Sequence, residues 1–148
     1  LSKAFSRLIS LVKSIEKGEI DNSYRLRNYV GISSEYFEPA VQGMEEAIGP
    51  YGSAALSYIQ GIPVCGKTGT AENPHGSDHS VFMAFAPKDN PAIAISVYVE
   101  NGVWGARYAA PIASLIIEQY LNDSVSYSRK WLEARMIEAN LLNPFQPE

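Results

Sequence analysis

A single cysteine, Cys65, is all the thiol chemistry these 148 residues contain. That excludes an internal disulfide and a cysteine-built metal site within one chain, and it leaves the redox compartment open. Long apolar runs are missing too: stretches such as Ala92 to Val99 fall far short of the ~20 residues a membrane helix needs. Charge is sparse and dispersed, 12 basic against 16 acidic residues for a net −4. There is thus no electrostatic footprint for nucleic acid and no basic helix for a membrane surface. There is no internal repeat and no low-complexity tract. The chain opens on Leu1 rather than Met, without a charged-then-apolar leader, as expected of a processed or excised segment with something missing upstream. What is present is an ordinary globular composition, 46% hydrophobic and 19% charged, at the length of one domain.

Local pattern divides the chain. Residues 1–33 are a poorly defined lead-in: Leu1 to Ile15 is compatible with a helix running into a short strand, Lys17-Gly18-Glu19 reads as a turn, and Asp21 to Val30 as surface strand or loop. Over 34–49 the spacing predicts a helix. Tyr36, Phe37, Ala40, Val41, Met44, Ala47 and Ile48 share one face, read as core, and Gly49-Pro50 stops the run. Glu45-Glu46 reads as a solvated face. From 62 to 99 three sequential strands are expected: Ile62 to Thr70, the apolar Ser80 to Ala86 as a buried strand, and the period-two run Ile93, Ile95, Val97, Val99. Pro87 to Pro91 turns between the last two. A helix over 109–121, opened by Pro111 and with Ile112, Leu115, Ile116 and Tyr120 at helical spacing, packs back across the sheet. Residues 122–148 form a tail in which Ser128 to Ala139 suits one further helix, with Trp131, Leu132, Arg135 and Met136, and Asn143-Pro144-Phe145 is loose. The fold class is α+β, an antiparallel sheet flanked by helices.

Gly61-Ile62-Pro63-Val64-Cys65-Gly66-Lys67-Thr68 satisfies the phosphate-loop pattern G-x-x-x-x-G-K-[ST]. That loop works by aiming successive backbone N–H groups at phosphate oxygens, and Pro63 lacks one, while Ile62, Val64 and Cys65 prefer a strand. A helix should follow the Lys-Thr, yet Gly69, Asn73, Pro74 and Gly76 do. The rival reading takes Lys67-Thr68-Gly69 as the K-T-G of serine acyl-enzyme proteins, whose motif set is S-x-x-K, S-x-N and K-T-G. Its physical demand is an ammonium and a hydroxyl on a strand bordering a cleft, where they hold a carboxylate, and a Gly that admits substrate backbone. On a strand Lys67 and Gly69 point to one face and Thr68 and Thr70 to the other.

The run from Gly61 to Leu121, GIPVCGKTGTAENPHGSDHSVFMAFAPKDNPAIAISVYVENGVWGARYAAPIASLIIEQYL, resembles the class B penicillin-binding protein 2 family. Leu11 to Ile15 and the Tyr36 to Ala47 helix are similar to that family too. The resemblance implies the carboxyl-terminal part of the serine β-lactamase/penicillin-binding transpeptidase fold and a peptidoglycan D-Ala-D-Ala transpeptidase that also takes β-lactams. In such enzymes an upstream serine attacks the terminal D-Ala-D-Ala carbonyl and an amine of a second stem peptide resolves the acyl-enzyme. On matching positions, Lys67 supports proton transfer and cleft electrostatics, Thr68 and Thr70 hold the substrate carboxylate, Gly69 leaves room, and the Thr70 N–H is an oxyanion-hole donor. Lys67 and Thr70 are thus the catalytic candidates, and Lys67, Thr68, Gly69 and Thr70 the substrate-binding ones, with no metal and no cofactor. Implied partners are stem peptides, β-lactams and an elongation-machinery glycosyltransferase. Implied placement is the periplasmic face of the bacterial inner membrane, anchored by an N-terminal helix not in this chain.

The nucleophile is the gap. Ser10-Leu11-Val12-Lys13 and Ser14-Ile15-Glu16-Lys17 both spell S-x-x-K, but 16 serines and 6 lysines supply on the order of one such match by chance. Leu11 to Ile15 also matches a family segment lying after the true motif, and no Ser-x-Asn occurs in the chain. The chain alone is therefore expected to be catalytically silent. Alternatives are a non-catalytic cell-wall scaffold module and a phosphate-loop domain. His75, Asp78 and His79 have short metal-ligand spacing but read as a solvated loop. Cys65 reads as a small packed residue and Trp104 as an aromatic packed at a strand-to-helix turn, with a ligand platform as the other reading.

Overall fold

The structure, a computed structural model, describes residues 31–141. Packing divides the chain into Leu1–Ser33 and Ser34–Glu148, and the description concerns the second unit. The lead-in elements expected before Val30, Ser10 and Ser14 among them, and the Asn143-Pro144-Phe145 end lie outside the described residues.

Helix α1 spans Glu38–Glu46, with Pro39 in its first turn, where its missing N–H costs nothing. A single 3₁₀ turn, Ser34–Tyr36, precedes it. The helix is shorter than the expected 34–49, and its apolar stripe is not core among the described residues: Tyr36 is 73% exposed and only Ile48, beyond the helix end, is buried. Among the described residues the stripe touches the start of strand β1, where Cys65 Sγ contacts the Val41 carbonyl at 3.6 Å and Ile48 approaches Gly66.

Strand β1 is Cys65–Ala71, β2 is His79–Ala86 and β3 is Ile93–Val99, an antiparallel sheet in the order β1-β2-β3. Strand β1 starts three residues later than the pattern predicts. Gly61 holds a positive φ of 80° in a tight turn, which closes a lone bridge between Ile59 and Ile62, and Pro63 cannot donate to a ladder. The register sets Gly66 against Ala84, Thr68 against Phe82 and Thr70 against Ser80, then Phe82 against Val97 and Ala84 against Ile95. One face of the sheet is therefore core, with Ser80, Phe82, Ala84 and Ala86 buried. The other carries Lys67, Val81, Met83 and Tyr98, and Met83 is 55% exposed. Ser80 to Ala86 is thus buried on one side only, a half-buried alternation rather than a fully buried strand. Phe82 alone contributes about 1.5–3 kcal/mol by leaving water.

Helix α2, Ala109–Asn122, lies on the core face against β2 and β3. Its buried residues include Ala109, Ala110, Ala113, Ser114, Leu115 and Ile117, whereas Ile116 and Tyr120 are exposed. The expected stripe is therefore rotated: Ala109, Ala110, Ala113 and Ile117 face the sheet, and the alanines let the helix sit close to it. Helix α3, Lys130–Glu138, follows a 3₁₀ turn at Tyr127–Arg129. Leu132 is fully buried with Leu115 and Val125, and Met136 packs on them, so residues 122–141 are a packed addition to α2 rather than a tail.

Two polar devices hold these layers. The start of α2 has no side-chain cap of its own. Ser80 supplies one across the sheet, accepting the Ala109 N–H at 3.0 Å and donating to the Trp104 carbonyl at 2.7 Å, which satisfies an orphan helix donor with a buried hydroxyl. Arg129 joins α2 to α3's approach: its Nη1 donates to Glu118 Oε2 and its Nη2 to Ser114 Oγ, each at 2.6 Å, and the Ser126 N–H donates to Glu118 Oε1 at 3.2 Å. Burial pushes the Glu118 carboxyl up, and the Ser126 hydrogen bonds and the Arg129 guanidinium outweigh it, holding the group below the ordinary 4.5.

Candidate active site

Lys67, Thr68, Gly69 and Thr70 fall in the middle of β1, at one edge of the sheet. Among the described residues no other strand pairs with the far side of β1. The strand continues to Ala71 with no helix behind it, so the phosphate-loop reading fails on geometry. Register places Thr68 and Thr70 on the face of Phe82 and Ser80, and Lys67 and Gly69 on that of Met83 and Val81, as strand alternation predicts. Lys67 and Thr70 are exposed, Thr68 and Gly69 half-buried.

The exposed Lys67 ammonium donates to the Thr68 carbonyl at 2.7 Å, which draws the charge toward the strand. Backbone polar groups alternate between the two edges of an antiparallel strand, so Thr68 and Thr70 present theirs to the same edge. Thr68 Oγ1 lies 3.3 Å from Ser53 Oγ. The arrangement gathers one ammonium, three hydroxyls and strand-edge amides along a short exposed line. That chemistry suits a carboxylate and an extended peptide backbone. It does not by itself make a nucleophile, because among the described residues no serine hydroxyl is hydrogen-bonded to Lys67 or to an imidazole.

The floor under this strand comes from the crossover between β3 and α2, the expected strand-to-helix turn around Trp104. A side chain at Gly105 would lie 2.4 Å from the Val81 carbonyl oxygen, 2.7 Å from that of Gly69 and 2.9 Å from the Gly69 nitrogen, so only glycine lets this segment touch the strand backbone. Val103, at a positive φ of 62°, donates its N–H to the Asp78 carbonyl at 2.8 Å. Trp104 is not packed as expected: the residue is 64% exposed, while its carbonyl accepts the Ser80 hydroxyl at 2.7 Å and the Arg107 N–H at 2.9 Å.

The polar loop 72–78 is internally bonded rather than merely solvated. Asn73 donates its N–H to Asp78 Oδ1 at 3.1 Å and its amide to Asn101 Oδ1 at 3.2 Å, and its own Oδ1 accepts the His75 N–H at 3.0 Å. His79 Nδ1 accepts the Asn101 N–H at 3.1 Å, and its ring lies against Tyr98. Asp78 and His79 are thereby committed to local structure, and among the described residues no three His, Cys, Asp or Glu side chains could share an ion. Cys65 is fully buried, and burial, then the Glu45 carboxylate, pushes its thiol up. Glu45 is not simply solvated: its Oε2 accepts the Lys88 ammonium at 2.6 Å. It borders a recess of about 410 Å³ with Ile48, Tyr58, Val64 and Lys88 that contains none of Lys67 to Thr70.

Residues 2–118 match the family model of the penicillin binding protein transpeptidase domain. A peptidoglycan D,D-transpeptidase PbpA of Mycobacterium tuberculosis is 42% identical over 74 residues, 43% of this chain and 15% of that protein. Penicillin-binding protein A of the same organism, solved as an imipenem acyl-enzyme complex, superposes with a TM-score of 0.52 at 31% identity, over 65% of this chain and 21% of that one. Pseudomonas aeruginosa PBP2, solved in complex with WCK 5153, gives 0.51 at 32% identity, over 62% and 21%. The chain thus spans a small part of the length of its relatives. The family match includes the strand with Lys67 to Thr70, and the chain belongs to the penicillin-binding protein transpeptidase domain family.

Proposed function

We propose that this chain forms one wall of a serine D-Ala-D-Ala transpeptidase site whose nucleophile lies outside it. The observation that carries the reading is the free edge of β1, a strand with no second ladder partner among the described residues, where the Lys67 ammonium bonds the Thr68 carbonyl and Thr68 and Thr70 share the other face. In the complete protein the peptide stem lies along this edge. Thr68 and Thr70 hold its terminal carboxylate, Gly69 admits its backbone, and Lys67 stabilises the charge and assists proton transfer. The serine oxygen attacks the penultimate D-Ala carbonyl carbon, with the Thr70 N–H as one donor to the oxyanion. The C–N bond breaks, D-Ala leaves as its protonated amine, and an amine of a second stem attacks the ester and returns the proton to serine. A β-lactam enters by the same acylation and stays. The relatives' printed names, transpeptidases and an imipenem acyl-enzyme, support the reaction class. Action at the periplasmic face of the inner membrane, beside an elongation glycosyltransferase, completes the proposal.

Labelling by a fluorescent penicillin tests it. The full-length protein is expected to label covalently and the 148-residue chain is expected to stay dark. A labelled chain would place a nucleophile within these residues, and an unlabelled full-length protein would overturn the transpeptidase reading.

A further inference from the structure

We infer that Ser53 is a positioning residue for Thr68, setting the direction in which the Thr68 hydroxyl gives its proton. This rests on the reading above, in which Thr68 holds the substrate carboxylate. A threonine hydroxyl has one proton, and a proton pointed at a neighbouring carbonyl is lost to an incoming anion. Ser53 Oγ, 3.3 Å from Thr68 Oγ1, can donate to that oxygen and so direct the Thr68 proton outward. The resulting chain, Ser53 O–H to Thr68 O–H to carboxylate, polarises in one direction.

The hydroxyl is delivered by a rigid route. Gly52 is pressed onto the carboxyl end of α1: a Cβ there would meet the Glu46 and Ala47 carbonyl oxygens at 2.3 Å each. The Gly52 N–H donates to the Gly49 carbonyl at 2.9 Å and the Ala54 N–H to that of Ala47 at 2.8 Å. Ala54 is buried, while Ser53 itself is exposed. Helix α1 is in turn seated on β1 through Cys65 and Ile48. A serine at the surface of a turn normally answers to solvent, whereas this one is clamped on both sides so that its oxygen meets the one half-buried hydroxyl of the reactive strand.

A double-mutant cycle on the full-length protein tests this, with Ser53→Ala and Thr68→Val singly and together, separating reversible β-lactam binding from the acylation step. Ser53→Ala is expected to weaken reversible binding of a carboxylate-bearing β-lactam about fivefold, the size of one neutral hydrogen bond. The acylation rate at saturation should be unchanged, Ser53→Thr should recover the affinity, and the double variant should bind no worse than Thr68→Val. A carboxyl-esterified β-lactam should not distinguish Ser53→Ala from the parent. Additive losses, or equal losses for acid and ester, overturn the inference while leaving the transpeptidase reading intact. A wild-type protein that takes no β-lactam sinks both.

Discussion

Replacing Arg129 by methionine should cost this chain more stability than any surface substitution. The guanidinium's two 2.6 Å hydrogen bonds end on Glu118 and Ser114, and the Arg129 and Glu118 side chains are 10% and 3% exposed. Without Arg129, the Glu118 carboxylate keeps only Ser126 inside a dry pocket, a buried charge worth about 3–5 kcal/mol of lost stability. The partner experiment removes both charges: Glu118→Leu with Arg129→Met should recover most of that loss, because apolar groups of similar volume leave nothing unpaired. The pH dependence follows from the depressed Glu118 carboxyl. Its contribution is fully present above the ordinary 4.5 and fades as pH falls through the lower folded value. In Arg129→Met the same carboxyl loses its counter-charge and takes up a proton more readily, so the gap between variant and parent should narrow as the solution is acidified from pH 7. Urea unfolding followed by tryptophan fluorescence measures this, with Trp131 two residues from the substitution as reporter. A loss under about 1 kcal/mol, typical of an exposed pair, or a gap that ignores pH, would refute the argument. Should Arg129→Met fail to fold, rescue by the double variant still decides the matter.

Ser80→Ala strips the cap from the Ala109 N–H, while the Trp104 carbonyl keeps the Arg107 N–H at 2.9 Å, and should cost about 1–3 kcal/mol in the same unfolding assay. A loss below 1 kcal/mol would mean the start of α2 is capped by other groups. Gly105→Ala forces a methyl against three backbone atoms of β1 and β2, and about 1–3 kcal/mol or more is expected to be lost; unchanged stability would show that the crossover yields freely. Cys65 should resist a thiol reagent in buffer and react fully in urea, since its buried thiol holds its proton. Modification of the folded chain at the unfolded rate would contradict its burial.

How much of this was legible in the sequence depends on what each residue had to signal. Period-two alternation at Ile93 to Val99 and the Lys67 to Thr70 spacing announced strands and faces correctly, because strand periodicity is local. Helix faces were harder. Ile112, Leu115, Ile116 and Tyr120 looked like the buried stripe of α2, but Ala109, Ala110, Ala113 and Ile117 face the sheet and Leu115 is buried against α3 instead, because contacts with two neighbouring elements set the rotation. The Tyr36 to Ile48 stripe promised core, yet among the described residues Ile48 is its one buried member. Nothing local could have shown that Ser53 meets Thr68 or that Ser80 caps a helix 29 residues on; both are encounters between segments, and a lone serine carries no spacing. Gly105 was visible only as a glycine after a tryptophan, and its reason, the backbone of Gly69, is three-dimensional.

The segment from Val99 to Ala109 has a consequence for how the gene can change. It is hydrogen-bonded at Gly102 to the Val99 carbonyl, at Val103 to the Asp78 carbonyl and at Trp104 to Ser80, and at Gly105 it lies too close to the Gly69 peptide for any side chain. With successive residues held in this way there is little slack to absorb an added or deleted residue. The crossover therefore acts as a spacer of set length between the helix and the reactive strand. Insertions that the 72–78 loop could accommodate by bulging outward would, a short distance away, shift Thr70 along its own edge.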